Sequence, residues 1–536
     1  MFNEGKIWIG NAGEEKIFVY PKMSNRHGMI AGATGTGKTV TLKVIAESFS
    51  DMGVPVFFAD VKGDLAGIAE VGIDNEDMQK RIAQFGLAEA GFQYKSYPVN
   101  FWDIYEEKGL PLRTTISEMG PILLAKILGL NDTQSSVLKV VFKIADDEGL
   151  LLIDTKDLRS MLTYVSENAK AYSANYGNLA PQSLSAIIRS VISLEEEGGD
   201  LFFGEPALDI KDWIATNYEG KGMINLLDCQ KLINHPTMYS AFMIWMLSEL
   251  YETLPEAGDL DKPRIVFFFD EAHIMFENSS KDLLEKVEQV VKLIRSKGVS
   301  IFFVTQNPKD IPDGILAQLG TKVQHALRAY TPAEQKGAKI AAQSFRENPA
   351  FNTFDELQNL GIGEALVSVL DEEGIPTIVQ KTKILPPQSK MGAIEFENRR
   401  KLMDASNLFI KYATAVDRDS AYEFLQRKAV EDAEAAEIAK EEALKQKQYE
   451  KEMAAQQKAA EKEALEQQKA MERQQEQQKK ANMRVAKSVS NSVAGTVGRE
   501  LGKSMGGVVG GSFGKKLGGN IGASLGRGII GTLFGK

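Results

Sequence analysis

The chain has 536 residues, of which 43% are hydrophobic and 25% charged, a composition typical of a globular protein with room for two or three domains. Its formal net charge of −10 excludes a polycation that coats nucleic acid, so any nucleic-acid contact has to be local. The only cysteine, Cys229, excludes an intrachain disulfide and is in keeping with a reducing cytoplasm. The first residues do not indicate a signal peptide, and we expect a cytoplasmic protein.

Glycine and proline usage divides the chain into segments. Neither residue occurs between Ala393 and Ala494, whereas glycine is dense after Gly495. This shift predicts a globular body to about Lys390, followed by a helical arm and a glycine-rich tail. In chain order the predicted segments are an N-terminal β-hairpin over 1–25, an α/β core over 26–109 and 214–390, a mostly helical insertion over 110–213, a helical arm over 391–483 and a basic glycine-rich tail over 484–536.

Within the body, apolar runs typical of buried strands alternate with stretches of helical spacing. A strand, a glycine-rich loop, a helix and a second buried strand follow one another over 27–60, which is a βαβ unit and predicts a mainly parallel sheet. The predicted fold class is therefore α/β, a three-layer domain that the helical insertion interrupts. Strands are predicted at 6–9, 16–20, 27–31, 54–60, 97–102, 223–227, 265–269, 300–304, 321–327 and 365–370, and helices at 40–49, 122–128, 137–144, 238–251 and 283–294.

The segment Gly32–Thr39, with the sequence GATGTGKT, fits the pattern G-x-x-x-x-G-K-[ST] without departure. The backbone N–H groups of such a loop form a nest for phosphate at the amino end of the following helix, and a strand and a helix are predicted on its two sides here. Lys38 is expected to reach the β- and γ-phosphates, and the Thr39 hydroxyl to bind Mg²⁺. The predicted ATP-binding residues are Gly32, Ala33, Thr34, Gly35, Thr36, Gly37, Lys38, Thr39 and Val40.

A second pattern, Asp270-Glu271, follows the apolar run 265–269. Five apolar residues in a row are typical of a central parallel strand that is buried on both faces, and ligands bind at the carboxyl ends of such strands. Asp270 would then hold Mg²⁺, directly or through water, and Glu271 would act as general base towards the attacking water. The alternative is a solvated acidic turn, which the preceding phosphate loop makes less attractive.

Three further residues are candidates for contact with the reacting phosphate. Gln306 follows the predicted buried strand over 301–305 and would contact the γ-phosphate or its water, although a plain loop glutamine is the alternative. Phosphoryl transfer also gains from an added positive charge, which Arg295 or Arg328 could supply, in a ring from one subunit to the next. The sequence does not choose between these arginines. The predicted catalytic residues are thus Lys38, Glu271, Gln306, Arg295 and Arg328.

The chain carries four segments in a characteristic order, namely His27–Thr39, Ala59–Asp64, Asp270–His273 and the strand that ends at Thr305-Gln306. Together these segments resemble the HerA/FtsK superfamily of P-loop ATPases, and within it the HerA-like YjgR family of bacterial ATPases. The resemblance covers roughly residues 1–390. It implies a RecA-like core with an extra strand beside the phosphate-loop strand, and hexameric rings that pump DNA or other polymers. Asp60 and Lys62 match a strand-end motif of that superfamily but receive no role from it, and a capped turn is the alternative.

Beyond the body, the stretch from Ala429 to Lys480 is rich in Ala, Glu, Lys and Gln, which are strong helix formers. Its few large apolar residues are out of heptad register, so a single solvated helix is favoured over a regular coiled coil. In the tail, glycine recurs every fourth residue from Gly498 to Gly526, a spacing that lets helices approach closely. The tail could pack against copies of itself, lie on an anionic membrane surface through its basic residues, or be a flexible end.

Two functional hypotheses follow from these patterns. The first is a Mg²⁺-dependent ATP hydrolase that works as a homo-oligomer, a hexameric ring by resemblance, and moves double-stranded DNA or another polymer. The second is a nucleotide-switched assembly or membrane-associated scaffold without translocation, peripheral to the inner membrane. A small-molecule kinase is the weaker third alternative, because the sequence shows no site for an acceptor substrate.

Overall fold

A computed structural model describes residues 1–258, 260–277 and 281–490 of the chain. It divides into a compact unit, Met1–Ala433, and a second unit that begins at Glu434. The predicted self-association or membrane contact of the glycine-rich tail falls beyond residue 490 and so lies outside the described residues.

The described residues of the first unit contain thirteen strands, and all of them belong to one sheet. In chain order the strands are β1 (Phe2–Asn3), β2 (Lys6–Ala12), β3 (Glu15–Val19), β4 (Gly28–Ala31), β5 (Val56–Asp60), β6 (Val99–Asp103), β7 (Leu110–Pro111), β8 (Ile224–Asp228), β9 (Ile265–Phe269), β10 (Val299–Thr305), β11 (Thr321–His325), β12 (Glu364–Ser368) and β13 (Gln380–Ile384).

Across the sheet the strands lie in the order β1-β2-β13-β12-β11-β4-β10-β9-β5-β8-β6-β7, and β3 pairs with β2. Neighbours from β11 to β7 are parallel, which confirms the predicted mainly parallel sheet. Neighbours from β11 to β1 are antiparallel, and β2 and β3 form an antiparallel hairpin at that side. The strand β10 lies between β4 and β9, and this is the extra strand that the resemblance implies.

Helices of the first unit pack on both faces of this sheet, whereas the last helix of the described residues continues into the second unit. In chain order they are α1 (Lys38–Asp51), α2 (Glu76–Phe85), α3 (Ile116–Ile127), α4 (Asp132–Glu148), α5 (Thr155–Glu167), α6 (Ala169–Tyr176), α7 (Pro181–Leu194), α8 (Asp200–Phe202), α9 (Pro236–Thr253), α10 (His273–Glu277), α11 (Lys281–Ile294), α12 (Asp313–Leu316), α13 (Pro332–Gln343), α14 (Thr353–Asn359), α15 (Phe396–Asp404), α16 (Phe409–Tyr412) and α17 (Ala421–Ser490).

Two apolar cores lie on opposite faces of the sheet because side chains alternate along each strand. In β9, Phe267 and Phe269 belong to the core that contains α9, α11 and the helices α3–α7, while Phe268 belongs to the core that contains α1. The helices within 110–213 therefore share one core with the sheet. The continuous apolar runs in β5 and β9 are explained by this burial on both faces.

The compact unit extends past the predicted boundary at residue 390. The guanidinium of Arg399 on α15 lies 3.0 Å from the Asp228 carboxylate at the end of β8. The Tyr412 ring on α16 packs edge-on against Trp102, with ring centroids 5.3 Å apart. The absence of glycine and proline from a stretch of sequence predicts helix. It does not distinguish helices that pack against the compact unit, such as α15 and α16, from a helix that is exposed to solvent.

In the second unit, α17 continues from Glu434, and its described side chains to Arg484 are all exposed. This agrees with the long C-terminal helix that the sequence predicts. Within the described residues, no helix is both long enough and apolar enough to span a membrane.

Candidate nucleotide site

The phosphate loop connects β4, which is buried, to α1, which begins at Lys38. Gly37 precedes the helix with φ = 118°, a left-handed conformation that side chains disfavour. Gly32 leaves β4 with φ = 150°, and a Cβ there would lie 2.5 Å from the Cβ of His325. These glycines therefore let the loop turn tightly, and the first N–H groups of α1 have no carbonyl partner within the helix and suit an anion.

Lys38 lies inside this loop rather than in solvent. Its Nζ donates hydrogen bonds to the carbonyl oxygens of Gly32, at 2.6 Å, and Ala33, at 3.2 Å. Burial lowers the pKa of Lys38, and the negative charge of Glu271 acts in the opposite direction. Lys38, which is predicted to reach the phosphates, is thus close enough to the Asp270-Glu271 pair to interact with it electrostatically.

The carboxylates of Asp270 and Glu271 lie at the carboxyl end of β9, two strands away from β4, and both residues are buried. Burial, and then the charge of Glu271, raise the pKa of Asp270 to about 6. Glu271 has φ = 47°, which is uncommon for any residue but glycine and indicates local strain. The turn is held to β10, because the N–H of Ala272 donates to the carbonyl of Val304 at 2.9 Å.

Three side chains surround the Glu271 carboxylate. The Nζ of Lys62 lies 2.5 Å from Oε1, and the Nε2 of Gln306 donates to Oε2 at 3.4 Å. The Nδ1 of His273 is 3.3 Å from Oε2, without the angle of a hydrogen bond. Burial acts to raise the pKa of Glu271, but the hydrogen bond and the charge of Lys62 outweigh it, so the pKa is lowered. Glu271 is therefore ionised at neutral pH, as a general base has to be.

Thr39 and Asp270 supply the oxygen donors that Mg²⁺ prefers. The Thr39 hydroxyl also lies 3.5 Å from the carboxylate of Asp64, in the loop after β5. In the described part of the chain, no cluster of three or more acidic, histidine or cysteine side chains is placed to hold a metal alone. Mg²⁺ at phosphate sites takes one or two protein ligands together with phosphate and water. The Thr39 hydroxyl and the Asp270 carboxylate therefore fit the ion.

The structure separates the two candidate arginines. Arg295 lies with Arg26 along a cavity of about 730 Å³, at the amino ends of the strands and so at the opposite edge from the phosphate loop of its own chain. Arg328 is exposed on the same edge as the loop, two residues beyond Ala326, whose carbonyl accepts the N–H of Ala33 at 2.9 Å. Within one chain, only Arg328 of the two is on the side where the nucleotide would bind.

Three residues near the site received no role from the sequence. Lys62 and Asp64 lie in one of the four segments that resemble the HerA/FtsK superfamily. Their contacts, of Lys62 with Glu271 and of Asp64 with Thr39, depend on the order of the strands in the sheet. His325 donates a hydrogen bond from Nδ1 to the Glu364 carbonyl at 2.9 Å, so its Nε2 accepts one from the Thr41 hydroxyl at 2.8 Å, beside the loop. Burial lowers its pKa to about 4, and no spacing in the sequence pointed to it.

These elements define the class. A glycine loop that enters a helix at Lys38, a buried carboxylate pair two strands away and a polar-tipped strand between them make this chain a P-loop NTPase. The family described as helicase HerA-like, C-terminal matches residues 7–516. Because that match spans nearly the whole chain, the chain belongs to this family.

Individual relatives are more distant. The DNA double-strand break repair helicase HerA of Sulfolobus acidocaldarius is 22% identical over 388 residues, 71% of this chain and 68% of that protein. The protein of the same name from Sulfurisphaera tokodaii is 22% identical over 386 residues, 68% of this chain and 67% of that protein. Among solved structures, the plasmid coupling protein TrwB bound to a GTP analogue is similar, with a TM-score of 0.49, 13% identity and coverage of 73% of this chain and 92% of that chain.

Proposed function

We propose that this protein is a Mg²⁺-dependent ATP hydrolase that works as a ring of identical subunits, a hexamer, and couples hydrolysis to the movement of DNA. The observation that carries the proposal is the buried, ionised Glu271, which lies at the same edge of the sheet as the phosphate loop. A carboxylate in that place is what activation of a water molecule beside the γ-phosphate requires.

Each site residue has a separate task. The loop N–H groups and Lys38 bind the phosphates, and Thr39 and Asp270 hold Mg²⁺, which supplies charge neutralisation when bound. Glu271 accepts the proton of the attacking water at a carboxylate oxygen. Gln306, which donates to Glu271 in the structure, orients that water or contacts the γ-phosphate.

Family membership and the names of the relatives support a helicase-type motor that acts on DNA, and the ring is what the resemblance of the sequence motifs implies. The curated relatives are named DNA repair helicases, and the chain covers two thirds or more of those two proteins. Arg328 is the candidate for the added positive charge, because it is exposed at the edge of the sheet that carries the site, and in a ring it would act on the nucleotide of its own subunit or of a neighbour. With a net charge of −10, DNA contact would be confined to a local lining of the ring.

The test is steady-state ATP hydrolysis by the full chain with and without Mg²⁺, for the wild type and for Glu271→Gln. Loss of a general base costs on the order of 10²–10⁴-fold in kcat, while affinity for ATP should stay within about threefold. Glu89→Gln, on an exposed residue, is the matched control and should hydrolyse ATP at the wild-type rate. Wild-type turnover by Glu271→Gln would refute the proposed role of this carboxylate.

A further inference from the structure

We infer that Lys62 is a positioning residue for Glu271, which it holds in place through an ion pair from the loop after the neighbouring strand β5. The inference rests on the proposed function, because it concerns how the water-activating carboxylate is oriented. Lys62 itself is not expected to touch the nucleotide or the reacting water.

The pairing of β5 with β9 creates this contact. The two strands are parallel, with Ala59 opposite Phe269, so the chain leaves both strands at the same level of the sheet. Lys62 and Glu271 follow directly, and their side chains meet at 2.5 Å between Nζ and Oε1. The Glu271 side chain is only 5% exposed, whereas that of Lys62 is 41% exposed. A buried carboxylate requires a charged or hydrogen-bonding partner, and Lys62 provides both.

The main chain around Lys62 is itself held in place. The buried carboxylate of Asp60 accepts the N–H groups of Gly63, at 2.7 Å, and Leu65, at 3.2 Å. The Gln230 side chain, after β8, donates to the carbonyl of Lys62 at 2.8 Å. Gly63 has φ = 76°, and a Cβ there would lie 2.4 Å from the Gln230 amide, so this turn requires glycine. The backbone from which the lysine extends is therefore fixed by the end of β5 and by the loop after β8.

The same loop also reaches the phosphate-loop helix. Asp64, two residues after Lys62, lies 3.5 Å from the Thr39 hydroxyl. The segment 62–64 thus contacts both motifs of the site, one through a cation and one through a carboxylate. Glu271 needs such support because its backbone is in the left-handed region, and Gln306 binds its other carboxylate oxygen only at 3.4 Å.

The contact is more than a surface salt bridge. Exposed ion pairs contribute little, since water competes for both charges. Here the carboxylate is buried, so removal of the lysine leaves Glu271 free to turn towards Gln306 or His273, which are its other neighbours. A displacement of about 1 Å at a reacting group costs on the order of 10²-fold in rate.

The experiment compares Lys62→Met and Lys62→Arg in the full chain. Lys62→Met should lower kcat by roughly 10- to 100-fold, with KM and the affinity for a non-hydrolysable ATP analogue within about threefold of the wild type. Lys62→Arg keeps the charge and the reach, and should restore kcat to within about fivefold of the wild type. Lys80→Met, which removes an exposed lysine from a surface ion pair, is the matched control and should leave kcat unchanged.

A second measurement does not depend on activity. Lys62→Met should lower the melting temperature, because Glu271 then stays buried without its counter-charge, and should lower it less in a Glu271→Gln background. Additive shifts would mean that the two side chains do not interact, and would overturn the inference. So would a kcat of Lys62→Met at or above the wild-type value while Glu271→Gln is inactive. Failure of the proposed function is distinct, since it appears as wild-type turnover by Glu271→Gln.

Discussion

His27, at the start of β4, makes the stability of the protein depend on pH in a way that can be calculated. Its ring is buried, and both nitrogens are engaged: Nε2 donates to the Val291 carbonyl at 2.9 Å, and Nδ1 accepts the N–H of Ile301 at 3.1 Å. Protonation of the ring would place a hydrogen on Nδ1, facing the N–H group of Ile301, and would break this hydrogen bond. Burial therefore lowers the pKa of His27 from 6.5 to about 4.

The sign and size of the effect follow from this shift. Because the folded pKa is depressed, the unfolded chain binds the proton more readily, and stability is fully present above about pH 6.5 and is lost as the pH falls towards 4. At pH 5 the loss attributable to His27 is about 2 kcal/mol, and at pH 4 about 3 kcal/mol. Both figures compare the folded pKa with that of a free histidine.

The assay is urea unfolding at pH 7 and pH 5, for the wild type and for His27→Gln. The amide of glutamine cannot take up a proton in this range, so the variant should lose about 2 kcal/mol less than the wild type on acidification. Other buried groups, such as His325, titrate equally in both proteins and cancel in the difference. Equal losses in the two proteins would refute the reasoning about the ring.

Three further expectations concern the site and the docked helix α15. Gly37→Ala places a side chain on a residue with φ = 118°, and we expect at least a tenfold loss of affinity for a fluorescent ATP analogue; unchanged affinity would contradict the required glycine. Arg399→Met removes the 3.0 Å partner of the buried Asp228 carboxylate, whose other ion pair, with Lys108, spans 3.9 Å, and should destabilise the body by up to about 3 kcal/mol in urea unfolding, whereas Arg400→Met, on an exposed neighbour, should have no effect; equal stabilities would contradict the docking of α15. Chelation of Mg²⁺ with EDTA should abolish ATP turnover and excess Mg²⁺ should restore it, and turnover without the ion would exclude the metal roles of Thr39 and Asp270.

Local rules made much of the fold predictable from the sequence. The strand β9 is an uninterrupted apolar run, β10 contains the apolar run 301–304, and the glycine loop predicts the strand β4 before it and the helix α1 after it. The short strand β13, with the sequence QKTKI, was missed because only its third and fifth residues are buried and its pattern is mostly polar. The strand β7, of two residues, carries too little pattern to be seen.

The sequence predicted those residues of the candidate site that belong to a recognisable motif, but not the contacts between residues of different motifs. Glu271 and Lys38 belong to patterns that carry their chemistry. The contact between Lys62 and Glu271 joins residues 209 positions apart and depends on β5 lying beside β9, which no local pattern specifies. The edges of the two arginines depend only on strand direction: Arg295 precedes β10 and Arg328 follows β11, so a parallel sheet already implies that they lie at opposite edges.

The most direct measurement is the steady-state ATPase rate of the full chain with Mg²⁺, in the presence and absence of double-stranded DNA. A DNA-coupled motor should hydrolyse ATP faster when DNA is added, and Glu271→Gln should show neither the basal nor the stimulated rate. A rate that DNA does not change would contradict DNA translocation and favour the nucleotide-switched assembly instead. A wild-type protein without Mg²⁺-dependent ATP hydrolysis under either condition would contradict the proposed function as a whole.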